Sequence, residues 1–258
     1  MTIKGKVEGI ISPSSTGENQ VITLPFTTAD AIYFKDGKTL QQKSDLGELG
    51  GNSNSPSGDN GHIPNKWRGK RIYTFGDSIT AGGYPNTIAD ILGAFVTNKG
   101  SSGGTYSRDF DIITKTDLTY ADAITLMTGH NSGPGTLTLE NSGLLDVTDT
   151  SNYDSYPSNY YGGIGKVIEY VRKTYPNIKI YLLTLHYTKR GTTSKDCRRA
   201  LYEIGEYYSV PVIDVYTNCG INKTNLDVYS SDGTHLDLAD KKGNVLIGEC
   251  VAYQMMYL

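Results

Sequence analysis

The sequence predicts an α/β fold with a parallel sheet that is covered by helices on both faces. From residue 67 onward, short apolar runs typical of buried strands alternate with segments that carry apolar residues at helical spacing. The first three predicted strands, 71–75, 95–98 and 123–128, each end at a turn rich in Gly, Ser or Asn. Parallel strands bring such turns together at one edge of the sheet, where α/β proteins bind their ligands.

The remaining elements continue this alternation. A helix is predicted over 85–92, because Pro stands in its first turn and Gly follows its last residue. Apolar residues at i, i+3, i+4 and i+7 from Ile164 predict a helix that ends before Pro176. A capping pattern that begins at Thr193 opens another helix. Strands are predicted over 178–185 and 210–216, and a last helix from about residue 239.

Length and composition restrict the class of function. The 258 residues are 37% hydrophobic, which is enough for one sizeable core and a small appendage. The formal net charge of −3 does not indicate a basic surface that would bind polyanions, so neither nucleic acid nor an anionic membrane surface is an expected partner. No apolar run is long enough to span a membrane. The three cysteines lack the spacing of metal ligands, so we expect free buried thiols and no metal.

Changes in composition divide the chain into three regions. Residues 1–50 carry too few large apolar residues to bury a core by themselves, so they indicate an attachment or oligomerisation segment. Residues 51–66 consist largely of Gly, Ser, Asn and Pro and indicate a flexible linker. Residues 67–258 are predicted to form the globular domain.

Ser78 is the candidate nucleophile. It follows Gly76 and Asp77 where the first predicted strand stops, and a sharp turn there projects the serine above the edge of the sheet. Such a turn is more often only a turn, because these residues all favour tight bends. A serine nucleophile also needs a base and a group that orients the base. Asp232 and His235, three residues apart near the C-terminus, can supply both.

Two other histidines compete for the role of base. His130 and His186 also follow predicted strands, but neither has a carboxylate at the short spacing that joins Asp232 to His235. We expect His130 to lie at the rim of the site and His186 to be a loop or capping residue. The carboxylate of Asp77 is expected to accept turn N–H groups and to shape the loop.

Two further segments between Ser78 and His235 suit the stabilisation of an oxyanion. The block 98–103 ends in Gly103, and Gly129-His130-Asn131 follows the third predicted strand. A backbone N–H and a side-chain amide at these positions could both donate to a developing negative charge.

These four blocks, in this order, resemble the SGNH (GDSL-type) hydrolase family of serine esterases over about residues 67–258. The resemblance implies a three-layer α/β/α sandwich with a five-stranded parallel sheet of flavodoxin-like order. It implies that Ser78 is the nucleophile, His235 the base and Asp232 its orienting carboxylate. The implied oxyanion donors are Ser78, Gly103 and Asn131. One departure is visible, because Ser132 stands where the family usually has Asp.

The resemblance implies an esterase that needs no cofactor. We expect small acyl esters as substrates, above all O-acetyl groups on a cell-surface carbohydrate. Tyrosine suits sugar-binding surfaces, and the insertion over 132–160 leaves the catalytic edge of the sheet, so it is expected to help form the substrate site. The expected substrate-binding residues are Tyr106, Tyr153 and Tyr156. The contrasting hypothesis is a catalytically silent receptor-binding or glycan-binding module that keeps the hydrolase fold.

The N-terminal segment suggests a biological setting. A strand-like run, an Asp36-Gly37 turn and the sequence Thr-Leu-Gln-Gln over 39–42 resemble attachment segments of phage tail fibre and baseplate proteins. This resemblance implies a homotrimer held by residues 1–50, with other tail or baseplate proteins as further partners. No basic-then-apolar signal segment is present. We therefore expect synthesis in the cytoplasm without a signal peptide, and action in a virion tail at the outside of the host cell.

Overall fold

The strands form one parallel sheet. The computed structural model describes residues 65–189, 193–237 and 242–258. Within these ranges the strands are β1 (Arg71–Gly76), β2 (Phe95–Asn98), β3 (Ala123–Met127), β4 (Lys179–Leu183) and β5 (Val212–Ile213). The sheet has the order β2-β1-β3-β4-β5, and every pairing is parallel. The predicted five-stranded parallel sheet of flavodoxin-like order is therefore confirmed.

Helices connect the strands and cover both faces of the sheet. They are α1 (Ser78–Ala81), α2 (Tyr84–Leu92), α3 (Tyr106–Thr114), α4 (Tyr160–Thr174), α5 (Thr193–Tyr208), α6 (Val215–Asn218), α7 (Leu226–Tyr229) and α8 (Lys242–Tyr257). Helix α2 packs against α8, whereas α4 packs between α3 and α5. The chain moves to opposite sides of β1 to reach β2 and β3, so right-handed crossovers place these two groups on opposite faces. The fold is the predicted three-layer sandwich. No helix in the described ranges combines the length and apolar character that crossing a bilayer requires.

Some elements differ from the prediction. The strand predicted over 210–216 is limited to Val212–Ile213, because the Asp214 carboxylate accepts a hydrogen bond from the backbone N–H of Thr217 (3.3 Å) and opens α6. Helix α3 was not predicted, since its buried residues are few and one of them is the acidic Asp109. Residues 1–50 and most of the linker lie outside the described residues, so their assignments remain predictions.

The core uses tyrosine as a large apolar residue with a polar tip. Among the described residues, four tyrosines are fully buried: Tyr84, Tyr160, Tyr161 and Tyr181. Tyr160 donates its hydroxyl to the carbonyl of Thr128 (2.9 Å), which ties α4 to the residue that follows β3. The cysteines Cys197, Cys219 and Cys250 are buried and free, as expected. Much of the tyrosine content thus serves packing.

Trp67 joins the beginning of the described domain to its end. Its indole N–H donates to the carbonyl of Met255 on α8 (2.7 Å), and its ring meets Tyr181 edge to face at 5.9 Å. The Asn65 side-chain amide donates to the carbonyl of Leu92 at the end of α2 (2.8 Å). The chain therefore enters the domain at the side where α2 and α8 pack together.

Asp109 is a buried acid between α3 and the sheet. Burial raises the pKa of its carboxyl to about 7, and the negative charge of nearby Asp77 adds to this effect, while the neighbouring Thr128 side chain opposes it. The folded protein therefore holds the Asp109 proton more tightly than the unfolded chain, in which the pKa lies near the ordinary value of 3.8. The stabilising contribution of this group is full below pH 3.8, falls as the pH rises toward about 7 and is lost above that pH.

We expect Asp109→Asn to stabilise the protein at alkaline pH, because the amide never acquires the buried charge. The thermal unfolding midpoint of the variant, relative to wild type, should be higher at about pH 8 than at about pH 5. Circular dichroism measures this difference, and Asp111→Asn, at an exposed position of the same helix, serves as the control. A difference in midpoint that is independent of pH would contradict the assignment of a raised pKa to Asp109.

Candidate active site

The turn after β1 places Ser78 at the carboxyl edge of the sheet. Gly76 has a φ of 147°, and a Cβ atom there would overlap the carbonyl oxygen of Met127 on β3, so only glycine fits. The Asp77 carboxylate accepts a hydrogen bond from the backbone N–H of Ile79 (3.0 Å) and caps α1, as expected. Ser78 is then the first residue of α1, with its side chain half-buried.

The structure brings Ser78, His235 and Asp232 together. Ser78 Oγ lies 2.9 Å from His235 Nε2, and His235 Nδ1 lies 2.6 Å from Asp232 Oδ2. The Asp232 carboxylate also accepts hydrogen bonds from the backbone N–H groups of His235 (2.7 Å) and Thr234 (2.8 Å). The side chains of His235 and Asp232 are 48% and 53% exposed.

These hydrogen bonds fix the protonation of the carboxylate and the tautomer of the ring. The bond from the His235 ring is the main cause that holds the pKa of Asp232 well below its usual range, and the two backbone N–H groups contribute to it. Asp232 is therefore ionised and can only accept, so His235 Nδ1 carries the proton that Asp232 binds. In the neutral ring, Nε2 is then the acceptor that faces the Ser78 hydroxyl.

Gly103 and Asn131 lie beside Ser78 in a cleft of about 430 Å³. Asn131 donates one amide hydrogen to the carbonyl of Gly104 (2.8 Å), which fixes the side chain and joins the loops after β2 and β3. An amide carries two hydrogens, so the second can bind another acceptor. The cleft is lined by Ser78, Ile79, Ala81, Gly82, Ser102, Gly103, Asn131, His235, Leu236 and Asn244.

The three tyrosines expected at the substrate site lie outside this cleft. Tyr106 donates its hydroxyl to the carbonyl of Ser158 (3.2 Å) and packs edge to face against Tyr160. Tyr153 packs against Phe110 and Tyr170, and Tyr156 is buried. None of the three lines the cleft. They fill the space between α3, α4 and the insertion, where their rings exclude water from the core.

The insertion over 132–160 also contributes no residue to the lining of this cleft, contrary to expectation. It is held against α4 and α5 instead. The Arg199 guanidinium donates to the carbonyl of Leu137 (2.8 Å), and the Glu203 carboxylate accepts from the backbone N–H of Leu139 (2.9 Å) and from the Tyr161 hydroxyl (2.6 Å). These contacts come from residues far along the chain, so the insertion gives no local signal of the direction in which it folds.

His130 is not the rim residue that was expected, because it is buried and does not line the cleft. His186 lies in the loop after β4, as expected, and it too is buried and does not line the cleft. Their interactions are with Asp77 and with the carbonyl of Thr234. Several residues of the cleft were not predicted from the sequence. Leu236 directly follows His235 and could have been found from that position, whereas Asn244 reaches the cleft only because α8 packs against α2. The described residues contain no group of three His, Cys, Asp or Glu side chains that could hold a metal ion.

Comparison with known proteins assigns the family. A sequence model of the GDSL-like lipase/acylhydrolase family matches residues 74–239, which is more than half of the chain. The chain belongs to this family. The predicted SGNH (GDSL-type) relationship is thereby confirmed for the hydrolase domain, whereas the resemblance of residues 1–50 to tail attachment segments lies outside the match and stays a prediction. No protein of curated function matches the chain significantly.

Several solved structures share the fold. A possible lipase from Chitinophaga pinensis is 21% identical, with a TM-score of 0.55 over 72% of this chain and 97% of that one. The lipase/acylhydrolase from Enterococcus faecalis is 20% identical, with a TM-score of 0.52 over 73% and 96%. A mutant of an acetyl-xylooligosaccharide esterase from Geobacillus is 19% identical, with a TM-score of 0.51 over 73% and 94%. At this identity the likeness concerns the fold.

We expect Gly100→Ala to disturb the active-site cleft of this GDSL hydrolase. A Cβ atom at Gly100 would overlap the backbone of Thr80 and Ala81, so the loop that carries Gly103 has to move away from α1. Displacements of this kind cost on the order of 10²-fold in rate. Hydrolysis of 4-nitrophenyl acetate measures the loss. Gly69→Ala is the control, since that glycine faces open space and does not line the cleft, so the strain that its φ of 73° puts on alanine stays outside the site. Equal rates in the two variants would contradict this account.

Proposed function

We propose that the protein is a serine esterase that removes small acyl groups, most of all O-acetyl groups, from a carbohydrate. The observation that carries this proposal is the 2.9 Å distance between Ser78 Oγ and His235 Nε2, with His235 Nδ1 bound to an ionised Asp232. A nucleophile, its base and an orienting carboxylate in this geometry match the requirements of acyl transfer.

In the first half of the proposed reaction, Ser78 Oγ attacks the acyl carbonyl carbon while His235 Nε2 takes the hydroxyl proton. The resulting oxyanion accepts hydrogen bonds from the backbone N–H groups of Ser78 and Gly103 and from the Asn131 amide. When the tetrahedral intermediate collapses, the bond from carbon to the alcohol oxygen breaks. His235 donates its proton to the departing alcohol, which leaves an acyl-serine.

The second half repeats these steps with water. His235 Nε2 takes a proton from a water molecule whose oxygen attacks the acyl-serine carbon, and the same donors hold the second oxyanion. The bond from carbon to Ser78 Oγ then breaks, and His235 returns the proton to the serine. The products are the free acid and the original enzyme. Throughout both halves the Asp232 carboxylate stabilises the positively charged imidazole ring.

The cleft supports a small acyl group and a polar alcohol. Its volume of about 430 Å³ is at the small end of ligand sites, and its lining mixes the apolar Ile79 and Leu236 with the polar Ser102 and Asn244. The high exposure of His235 suits an ester displayed on a large soluble carrier such as a polysaccharide. One solved structure of the same fold is that of an acetyl-xylooligosaccharide esterase, whose name gives an acetylated sugar oligomer as its substrate. The tyrosines do not support the proposal, since they lie outside the cleft.

We expect Ser78→Ala and His235→Ala each to remove most of the hydrolysis of 4-nitrophenyl acetate while leaving the unfolding midpoint near that of wild type, because both side chains lie at the surface of a folded edge. The double variant should lose no more than either single one, since the two residues act as a unit. Asn131→Ala should cost about 10²-fold to 10³-fold in kcat, as expected for one oxyanion donor.

The substrate class is tested by release of acetate from acetylated xylan and other acetylated polysaccharides, with long-chain acyl esters as the comparison. Faster cleavage of the long-chain esters would exclude the carbohydrate assignment. An unchanged rate in Ser78→Ala would exclude the serine mechanism. A wild-type protein that hydrolyses none of these esters would favour the silent receptor-binding or glycan-binding module.

We further propose that residues 1–50 assemble the chain into a homotrimer, in a phage tail-like protein that carries the esterase to a host surface. This proposal rests on the sequence alone. Ile32, Tyr33, Phe34 and Leu40 are apolar residues in a segment too short to cover them by itself, so burial between chains would remove them from water. The linker over 51–66 would then separate the assembly from the catalytic domain.

Light scattering is expected to give a trimeric mass for the full chain and a monomeric mass for a protein that begins at Asn65. The two should have nearly equal kcat on 4-nitrophenyl acetate, because the proposed assembly does not involve the cleft. The shorter protein should be retained less on a multivalent acetylated glycan, since three tethered sites rebind at high effective concentration. A monomeric full chain at micromolar concentration would reject the trimer.

A further inference from the structure

A set of buried polar groups lies directly behind the reacting side chains. Asp77, His130 and Thr234 are buried, and none of them lines the cleft. Each precedes a residue of the proposed active site by one position. At each of these three places the reacting residue points toward the cleft, and the polar residue before it points into the protein. The outward residues are, in the same order, Ser78, Asn131 and His235.

The first link joins the nucleophile turn to the loop after β3. Asp77 Oδ2 accepts hydrogen bonds from His130 Nδ1 (2.9 Å) and from the backbone N–H of His130 (3.2 Å), and the two side chains are 0% and 2% exposed. Burial by itself would raise the pKa of Asp77, but the hydrogen bond and charge of the His130 ring and the N–H groups hold it below its ordinary value. The carboxylate is therefore ionised, and such bonds are strong where water is excluded.

The second link joins the loop after β4 to the loop that carries the base. His186 is fully buried, and its Nε2 lies 3.0 Å from the carbonyl oxygen of Thr234. Burial is the main cause that lowers the pKa of His186 to about 3, and the neighbouring His130 adds to it. The ring is neutral, and because a carbonyl only accepts, the hydrogen of His186 is on Nε2. The carbonyl of Thr234 thus accepts a hydrogen bond from the buried His186 ring, while the N–H of Thr234 donates to the Asp232 carboxylate.

The two links meet in the interior. The rings of His130 and His186 lie with centroids 5.3 Å apart at an interplanar angle of 44°. Asp77, His130, His186 and Thr234 consequently form a continuous buried chain that passes beneath all three loops. We propose that Asp77, His130 and His186 are positioning residues that hold Ser78, Asn131 and His235 in their mutual geometry through this chain.

This inference rests on the proposed esterase function and adds an element that the reacting residues lack. The hydrogen bonds among Ser78, His235 and Asp232 are open to water, so by themselves they fix the loops weakly. Acyl transfer needs the nucleophile, the base and the oxyanion donors placed to within about 0.5 Å. Hydrogen bonds that are shielded from water, made by the residue directly before each reacting residue, can supply that precision without contacting the substrate.

The test uses crossed amide substitutions in the full chain. The side-chain nitrogen of Asn lies close to the place of Nδ1 of histidine, and that of Gln close to Nε2. His130 donates from Nδ1 and His186 from Nε2. The matched variants are therefore His130→Asn and His186→Gln, and the mismatched variants are His130→Gln and His186→Asn. All four bury an amide, so a merely structural role predicts similar rates in both members of each pair.

We expect each matched variant to keep its kcat on 4-nitrophenyl acetate within about threefold of wild type, and each mismatched variant to lose about 10-fold to 100-fold, with little change in KM. If a mismatched variant fails to fold, the activity of the matched variant still tests the proposal. A folded but inactive His130→Asn or His186→Gln overturns the proposal, and an active one supports it.

A double-mutant cycle separates positioning from general damage. If His130 acts in part through Asn131, His130→Gln should cost less in an Asn131→Ala background than in the wild type, because one of the groups that it positions is already gone. Losses that multiply in full would overturn the proposed link from His130 to Asn131.

Ser78→Ala is measured alongside these variants. If it keeps the wild-type rate, the esterase function itself is wrong. If it loses the rate while matched and mismatched variants behave alike, the function stands and the positioning role fails.

Discussion

The close approach of β1 to β3 at Gly76 is the constraint on which the active-site loops depend. No side chain fits there, because it would overlap the carbonyl of Met127. The peptide groups around this point then bind the neighbouring loops. The Asp77 N–H donates to the Met127 carbonyl (3.3 Å), and the Gly76 carbonyl accepts from the N–H of Ser101 (2.9 Å). The segments after β1, β2 and β3 are therefore joined by backbone bonds at the point where the parallel strands end.

Above this backbone frame the polar groups form two layers with different tasks. The outer layer is wet and contains the groups that exchange protons with a substrate. The inner layer is dry, and each of its hydrogen bonds would be costly to break, because the freed donor or acceptor would find no water. Separating the two lets a base such as His235 remain accessible while the loop that carries it stays fixed.

The sequence alone predicted the parts of the molecule that depend on local pattern or on chemical necessity. The buried strands β1, β3 and β4 are largely apolar runs, and the exposed β2 ends at a turn rich in Gly and Ser, so four of the five strands were placed nearly correctly. Ser78, Asp232 and His235 could be chosen because a serine nucleophile requires such partners. The strand order came from the resemblance to a family rather than from periodicity. Once that order is known, the turns after β1, β2 and β3 must meet at one edge.

What the sequence could not provide depends on contacts between distant residues. The position of Tyr153 is decided by Phe110 and Tyr170, and the path of the insertion is decided by Arg199 and Glu203 on α5. A tyrosine has the same local signature in a binding site and in a core. The burial of His130 and His186 was missed for a related reason. Histidine after a strand suggests chemistry, whereas only the packed fold shows that other elements close over it.

The contact between Trp67 and Met255 gives the domain an optical signal of its own. Trp67 is the single tryptophan among 258 residues, and it lies buried at the place where the first turn of the described domain meets its last helix. Light absorbed at the red edge of the indole band therefore excites one site only. The emission of that site reports whether the two ends of the domain are docked, and none of it arises from residues 1–64.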